Sequence, residues 1–267
     1  MISFVGAGPG APDLLTLRGA QRLADAEVVV WASSLVPEAV LERCRPGAVL
    51  HDSAVMTLED VLAVFAESSE GTSVVRLHSG DPSIYGAIAE QIDWCRANRR
   101  TFEIVPGVTS VAAAAATLER ELTVPAVSQS LVLTRLAGRT EASMRPGEGV
   151  AAFASARVSM AVLLSGARPD ELQAELLTGY PPETSAAVAV RVTWPDELLV
   201  RTTVGELADA IRSTGAARTV LVLVGDALAD GPVAARSHLY SPTHATAFRL
   251  PSRAGSTKGR PGRRRPQ

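Results

Sequence analysis

The chain has little with which to build a metal cage or a disulfide framework. Two cysteines, Cys44 and Cys95, and four histidines, His51, His78, His238 and His244, are scattered through 267 residues. Two thiols close one bridge at most, and no histidine pair has ligand spacing, so no metal is expected. Cys95 falls within a helical pattern, which predicts a buried thiol. Aromatic residues make up only 4%. No apolar run approaches the roughly 18 residues of a membrane span. The opening MISFVGAGPG has no basic stretch of the kind that begins a signal peptide. These absences argue against a zinc module, a disulfide-stapled secreted domain and a helical membrane protein. They predict a cytoplasmic protein with no membrane partner.

A strong charge is also missing from the chain as a whole, which nets −2 from 26 basic and 28 acidic residues. The balance is uneven. Arg253, Lys258, Arg260, Arg263, Arg264 and Arg265 give the last fifteen residues six positive charges and no negative one, leaving residues 1–252 at −8. An acidic body disfavours a nucleic-acid partner. The tail, rich in Gly, Pro and Arg, is expected to be disordered over 243–267.

What the sequence does have is 46% hydrophobic residues, dominated by Ala and Val. Short Val-rich runs alternate with Ala-rich helical patterns. Strands are predicted at Ile2–Val5, Glu27–Trp31, Ala48–His51, Val74–Leu77 and Phe102–Val105. Helices fall between them. One is capped by Asp13 with Leu14, Leu17 and Ala20 inward, and one opens at Thr57 with Asp60 completing a capping box. This pattern predicts an α/β domain with a parallel sheet over 1–117. The second half restarts after ERELTVPAV, Glu119–Val127. Its strands are predicted at Gln129–Thr134, Ser159–Leu164, Ala186–Val192, Leu198–Thr203 and Thr219–Val224, with helices at Val150–Ala156, Pro169–Leu177 and Val204–Ser213. The third and fourth of those strands read as a hairpin, and Thr203 with Glu206 as a capping box. That gives a second α/β domain with a mixed sheet over 118–242.

Function concentrates in VVRLHSGDPSIYG, Val74–Gly86. A strand stops at Ser79-Gly80-Asp81-Pro82, and a helix is predicted from Ser83, with Ile84, Ile88 and Ile92 on one face. Ligands of open α/β sheets sit at such strand ends. Asp81 is either a helix cap or a carboxylate facing a ligand, and the local sequence leaves both open. The first loop, GAGPG from Gly6 to Gly10, invites a dinucleotide-binding reading. Pro9 and Pro12 interrupt the place where that helix would open, and the second strand ends in Ala32-Ser33-Ser34 with no acidic residue for a ribose. A dinucleotide oxidoreductase is therefore disfavoured.

VGAGPGAPDLLTLRG, Val5–Gly19, taken with the Gly80-Asp81, Tyr85-Gly86 and Pro106-Gly107 pattern, resembles the two signatures of the tetrapyrrole methylases. WASSLVP, LHSGDPSIYGAIAEQ and VRVTWPDE are most similar to the branch that acts on precorrins, whether metal-free or cobalt-bearing. The resemblance covers roughly residues 1–239. It implies two α/β domains with S-adenosyl-L-methionine in the cleft between them, a reduced tetrapyrrole as substrate, and a homodimer. Carried onto this sequence, it implies that Pro9 lines the base of the cleft. Ser79, Gly80, Asp81 and Ile84 border the methionine and ribose, and Thr109 and Ser110 reach the methionine end. Ala189, Val192, Thr219 and Val220 lie near the adenine. Ser165 stands where relatives commonly have Met. The substrate's many carboxylates make Arg18, Arg76, Arg135 and Arg191 candidate clamps. No general base stands out. Methylases of RNA or of a diphthamide precursor belong to the same family, and the acidic body disfavours an RNA substrate.

Overall fold

A computed structural model describes residues 1–136, 144–145, 147–231 and 236–262. Pro146 and Arg263–Arg265, which entered the readings of the second-half break and the tail, lie outside the described residues. Two five-stranded sheets organise the chain. The first is built from β1 (Ile2–Gly6), β2 (Val28–Trp31), β3 (Val49–Asp52), β4 (Val74–His78) and β5 (Phe102–Val105), in the order β3-β2-β4-β1-β5 with all pairs parallel. Alternation along the strands sends each side chain to one of two cores. Val5, Val29, Val75 and Leu77 meet Leu23 of helix α1 (Leu17–Asp25) on one face. Ile2, Phe4, Val30 and Val74 meet α2 (Leu58–Glu67) and α3 (Ala89–Ala97) on the other, where Cys95 is fully buried.

The second sheet is mixed, as its hairpin suggests. β6 (Leu131–Arg135) and β7 (Ser159–Leu163) run parallel, while β8 (Ser185–Val190), β9 (Leu198–Thr203) and β10 (Val220–Val224) pair antiparallel, in the order β6-β7-β10-β8-β9. One face, with Met160, Val162, Val188 and Val222, packs on α5 (Val150–Ala154), α6 (Pro169–Leu177) and α7 (Leu207–Ser213). The other face is paved with small and medium residues: Ala161, Ala187, Ala189, Leu221 and Leu223. Val111, Ala113 and Ala114 of α4 (Ser110–Thr117) lie on it, with Leu118 just beyond. Thus α4, which the sequence reading put at the end of the first unit, contributes its packing to the second sheet. Its run of alanines allows that close approach.

Three local expectations are corrected. The first helix is capped by Thr16, whose Oγ accepts from Gly19 N at 3.1 Å, and not by Asp13, which sits in a separate 3₁₀ turn, Pro12–Leu14. Leu17 is consequently 92% exposed while Gly19 and Leu23 turn inward. The helix predicted from Ser83 starts only at Ala89, because Tyr85 and Ala87 take left-handed φ values of 55° and 48°. The Thr203 capping box is not made. Val204 N donates instead to Thr184 O at 2.9 Å and Gly205 N to Pro182 O at 2.8 Å, so α7 begins one turn later. By contrast, the Thr57–Asp60 box forms in full.

The tail also departs from expectation. Arg249–Leu250 (β11) and Arg260–Pro261 (β12) form a two-residue antiparallel ladder. The Arg249 guanidinium ties the preceding turns together through the carbonyls of Leu239, Ser241 and His244. One arginine with several backbone acceptors replaces the core that this composition cannot build.

Candidate active site

The carboxyl ends of β1, β4 and β5 meet in a backbone knot. A Cβ on Gly107 would lie 2.1 Å from the Gly80 carbonyl oxygen and 2.8 Å from the Gly6 Cα. A Cβ on Gly6 would lie 2.5 Å from the Gly107 Cα. Three strand ends thus approach more closely than any side chain allows. Gly8 and Gly80 exchange backbone hydrogen bonds of 2.8 and 3.2 Å, which join the first loop to the second.

Asp81 joins the second loop to the third. Its Oδ1 accepts from Ser83 N at 2.8 Å and its Oδ2 from Gly107 N at 2.8 Å. No helix starts at Ser83, so the capping alternative falls away: the carboxylate is a tie between two strand-end loops. Thr109 then caps α4, accepting from Ala112 N at 3.2 Å, which brings the positive end of that helix to the same place.

The second half closes over these loops. Trp194 Nε1 donates to Pro9 O at 3.0 Å, and Ala11 N donates to Thr193 Oγ at 2.9 Å. A Cβ on Gly10 would lie 2.3 Å from Trp194 Cδ1, so this glycine is where the indole fits. Between the halves lies a cavity of about 180 Å³. Its first-half wall is Pro9, Ser79, Gly80, Asp81, Ile84, Thr109 and Ser110; its second-half wall includes Ala189, Val192, Thr219 and Val220. These are eleven of the twelve cofactor residues that the family resemblance implies, and the fold brings them to one cleft. Ser165 is not among them. It is 1% exposed beneath β7 and donates weakly to Val162 O at 3.4 Å. Leu35, Tyr85, Val111, Leu163, Leu164 and Leu221 also line the cleft and were missed. Tyr85 stood inside the motif; the others carried no signal beyond being apolar.

The four arginines scatter. Arg18 is exposed on α1, close enough to act on Glu103, which Arg22 and Ser3 bond. Arg76 is largely buried on β4, donating to Val30 O and Leu77 O at 3.3 Å, and burial lowers its pKa to about 10. Arg191 stacks 5.7 Å over the Trp194 ring and pairs with Asp196. Arg135 ends β6 and acts electrostatically on Tyr85 from across the cleft. Next to the Gly80 loop, burial, with Arg76 nearby, pushes His78 down to about 3. Its Nε2 and the Arg76 Nε have no protein partner. Among the described residues no group of His, Cys, Asp or Glu could hold a metal, and no helix is long and apolar enough to cross a membrane.

Among the described residues, six of the ten non-glycine residues with positive φ cluster around this cleft: Tyr85, Ala87, Leu164, Arg191, Thr193 and Thr219. Strained backbone persists where surrounding structure enforces it, and it gathers at functional sites.

A cleft between two α/β units, built from Gly-Asp and Pro-Gly loops at strand ends, defines a tetrapyrrole-methylase type of site. Residues 1–208 match the family described as Tetrapyrrole (Corrin/Porphyrin) Methylases, and the chain belongs to that family. A precorrin-4 C(11)-methyltransferase of Mycobacterium tuberculosis (strain CDC 1551 / Oshkosh) is 42% identical over 90% of this chain and 96% of its own length. The X-ray structure of a cobalamin biosynthetic enzyme, cobalt precorrin-4 methyltransferase, aligns with a TM-score of 0.82 at 40% identity, over 86% of this chain and 96% of that one. A uroporphyrin-III C-methyltransferase from Thermus thermophilus, complexed with S-adenosylhomocysteine, aligns with a TM-score of 0.69 at 26% identity, over 85% and 98%.

Proposed function

We propose that this chain is an S-adenosyl-L-methionine-dependent C-methyltransferase of corrin biosynthesis, which methylates precorrin-4 at C-11 to give precorrin-5. The observation that carries the reading is the Asp81 tie. It fixes two loops and the α4 N-terminus as one polar end of a cleft whose far wall is apolar. That gradient fits a donor with an amino acid at one end and a nucleobase at the other. Ser79, Gly80, Asp81, Ile84, Thr109 and Ser110 take the methionine and ribose, with the α4 N-terminus suited to the carboxylate. Ala189, Val192, Thr219 and Val220 take the adenine, and Pro9 forms the base. A relative with this fold is complexed with S-adenosylhomocysteine, the product the donor would leave, which supports the assignment. When bound, it supplies a methyl group on a cationic sulfur, electrophilic enough for an electron-rich ring carbon to displace the sulfur without a side-chain base.

The work left to the protein is positional. The glycine knot fixes the first wall, and the Trp194–Pro9 contact holds the second wall against it. Of the candidate carboxylate clamps, Arg135 ends β6, and its charge reaches Tyr85 of the cleft, which supports it in that role. The division at residue 117 separates two lobes that flank the substrate, with α4 as the helix that bridges them. The reading also takes the protein as a cytoplasmic homodimer without nucleic-acid or membrane partners.

A second reading changes only the metal state of the acceptor, and the 40% identity to the cobalt-precorrin-4 enzyme supports it. Incubation with precorrin-4, with and without cobalt, followed by mass spectrometry tests both. A gain of one methyl group on the metal-free acceptor is expected. Methylation of the cobalt form alone would replace the first reading with the second, and no methylation of either would overturn both.

A further inference from the structure

Two of the strained residues at the cleft are also among its most exposed apolar ones. Tyr85 has φ 55° and is 49% exposed; Leu164 has φ 57° and is 70% exposed. They belong to different halves, Tyr85 to the loop after β4 and Leu164 to the loop after β7, yet both line the one cleft. Leu35, 46% exposed, adds a third apolar surface from the loop after β2.

Leu164 is doubly unfavourable as it stands. A leucine in the left-handed region is strained, and a leucine mostly in water gains little from burial. Glycine would relieve both at once. Tyr85 is held the same way. A Cβ on the next residue, Gly86, would lie 2.1 Å from the Pro82 carbonyl oxygen, so the loop doubles back on itself and turns the phenol outward. Burial raises the phenol's pKa, Arg135 opposes that and Glu148 adds to it, so the ring stands within reach of charges on the facing half. None of the four core clusters contains Tyr85 or Leu164. The strain therefore holds apolar surface at the cleft, where a ligand would cover it.

We propose that Tyr85 and Leu164 are specificity-determining residues for the methyl acceptor, gripping the apolar face of its macrocycle from the two sides of the cleft. This rests on the functional reading above, with the acceptor as the ligand and the donor deeper in the cleft.

The test uses the full chain with Leu164→Gly, Leu164→Asn and Tyr85→Asn, all of which suit the left-handed backbone. Three quantities are read: KM and kcat for precorrin-4, affinity for S-adenosylhomocysteine by calorimetry, and melting temperature. Each variant is expected to raise KM about tenfold or more, the effect of losing one buried apolar contact. S-adenosylhomocysteine affinity stays unchanged, and the melting temperature stays level or rises for Leu164→Gly. Unchanged KM in all three variants, a parallel loss of S-adenosylhomocysteine affinity, or a lowered melting temperature in both Leu164 variants would overturn the assignment. A wild-type chain that binds S-adenosylhomocysteine but methylates neither metal-free nor cobalt-bearing precorrin-4 would overturn the functional reading and this inference together. A wild type that does methylate, with variants of unaltered KM, would overturn the inference alone.

Discussion

At the cleft the first sheet sends in main chain and the second sends in side chains. Gly6, Gly80 and Gly107 meet at distances where no Cβ fits, and Asp81 binds the loops through two backbone N–H groups. The facing wall is Leu163, Leu164, Ala189, Val192, Val220 and Leu221 on a mixed sheet. The difference teaches how each half constrains its residues. A backbone knot fixes residue identity, because one added carbon has nowhere to go. An apolar wall fixes only size and hydrophobicity, and many sequences satisfy it.

Breaking the knot should therefore cost most. Gly107→Ala places a carbon against the backbone of two other loops, and it should lower stability by at least about 3 kcal/mol and abolish S-adenosylhomocysteine binding. Gly71→Ala, where a Cβ would meet nothing within 4 Å, serves as the control and should fall within about 1 kcal/mol of wild type. Chemical denaturation of the two variants reads the contrast directly. Similar losses in both would mean that the knot is not tight.

Beneath the knot, His78 should give the first half an acid limb of its own. Its folded pKa, about 3, lies below the ordinary value of 6.5, so the unfolded chain takes up a proton that the folded chain refuses. Stability is then fully present above pH 6.5 and is lost as the pH falls toward 3. Between pH 6.5 and 4.5, before the carboxylates that are lowered by their partners begin to titrate, the slope should approach about 1.4 kcal/mol per pH unit. His78→Phe keeps a ring against Phe4, 6.1 Å away between centroids, and should flatten that window. An unchanged slope would show that His78 titrates normally.

On the apolar side, effects should be small. Ser165→Ala removes one weak bond of 3.4 Å under β7 and should change stability by less than about 1 kcal/mol and leave S-adenosylhomocysteine affinity unaltered. A tenfold loss of affinity would bring Ser165 back into the cofactor wall.

The same contrast explains what was legible beforehand. The strands and their parallel or mixed pairing could be read from periodicity, and the eleven cleft residues from the family resemblance that the Gly-rich loops carry. Leu164 and Leu221 could not, since an apolar residue after a strand looks the same in a core and in a cleft. Helix starts failed where long-range partners took the N–H groups: Thr184 and Pro182 pre-empt the Thr203 box, and the Asp81 tie with left-handed Tyr85 and Ala87 delays α3. The Thr57 box, whose partners are all local, formed as read. Tail order was missed because it hangs on carbonyls gathered by one side chain, Arg249, and composition does not encode that.

The central claim is that Asp81 holds the polar end of the cleft together for S-adenosyl-L-methionine. Calorimetric titration of wild type and Asp81→Ala with S-adenosylhomocysteine, alongside denaturation of both, tests it most directly. The account predicts binding by wild type, and in Asp81→Ala a loss of affinity together with a loss of roughly 2–4 kcal/mol in stability, since two backbone donors lose a charged acceptor. Asp81→Ala with unchanged S-adenosylhomocysteine affinity would contradict it, as would a wild-type chain that binds NAD in its place.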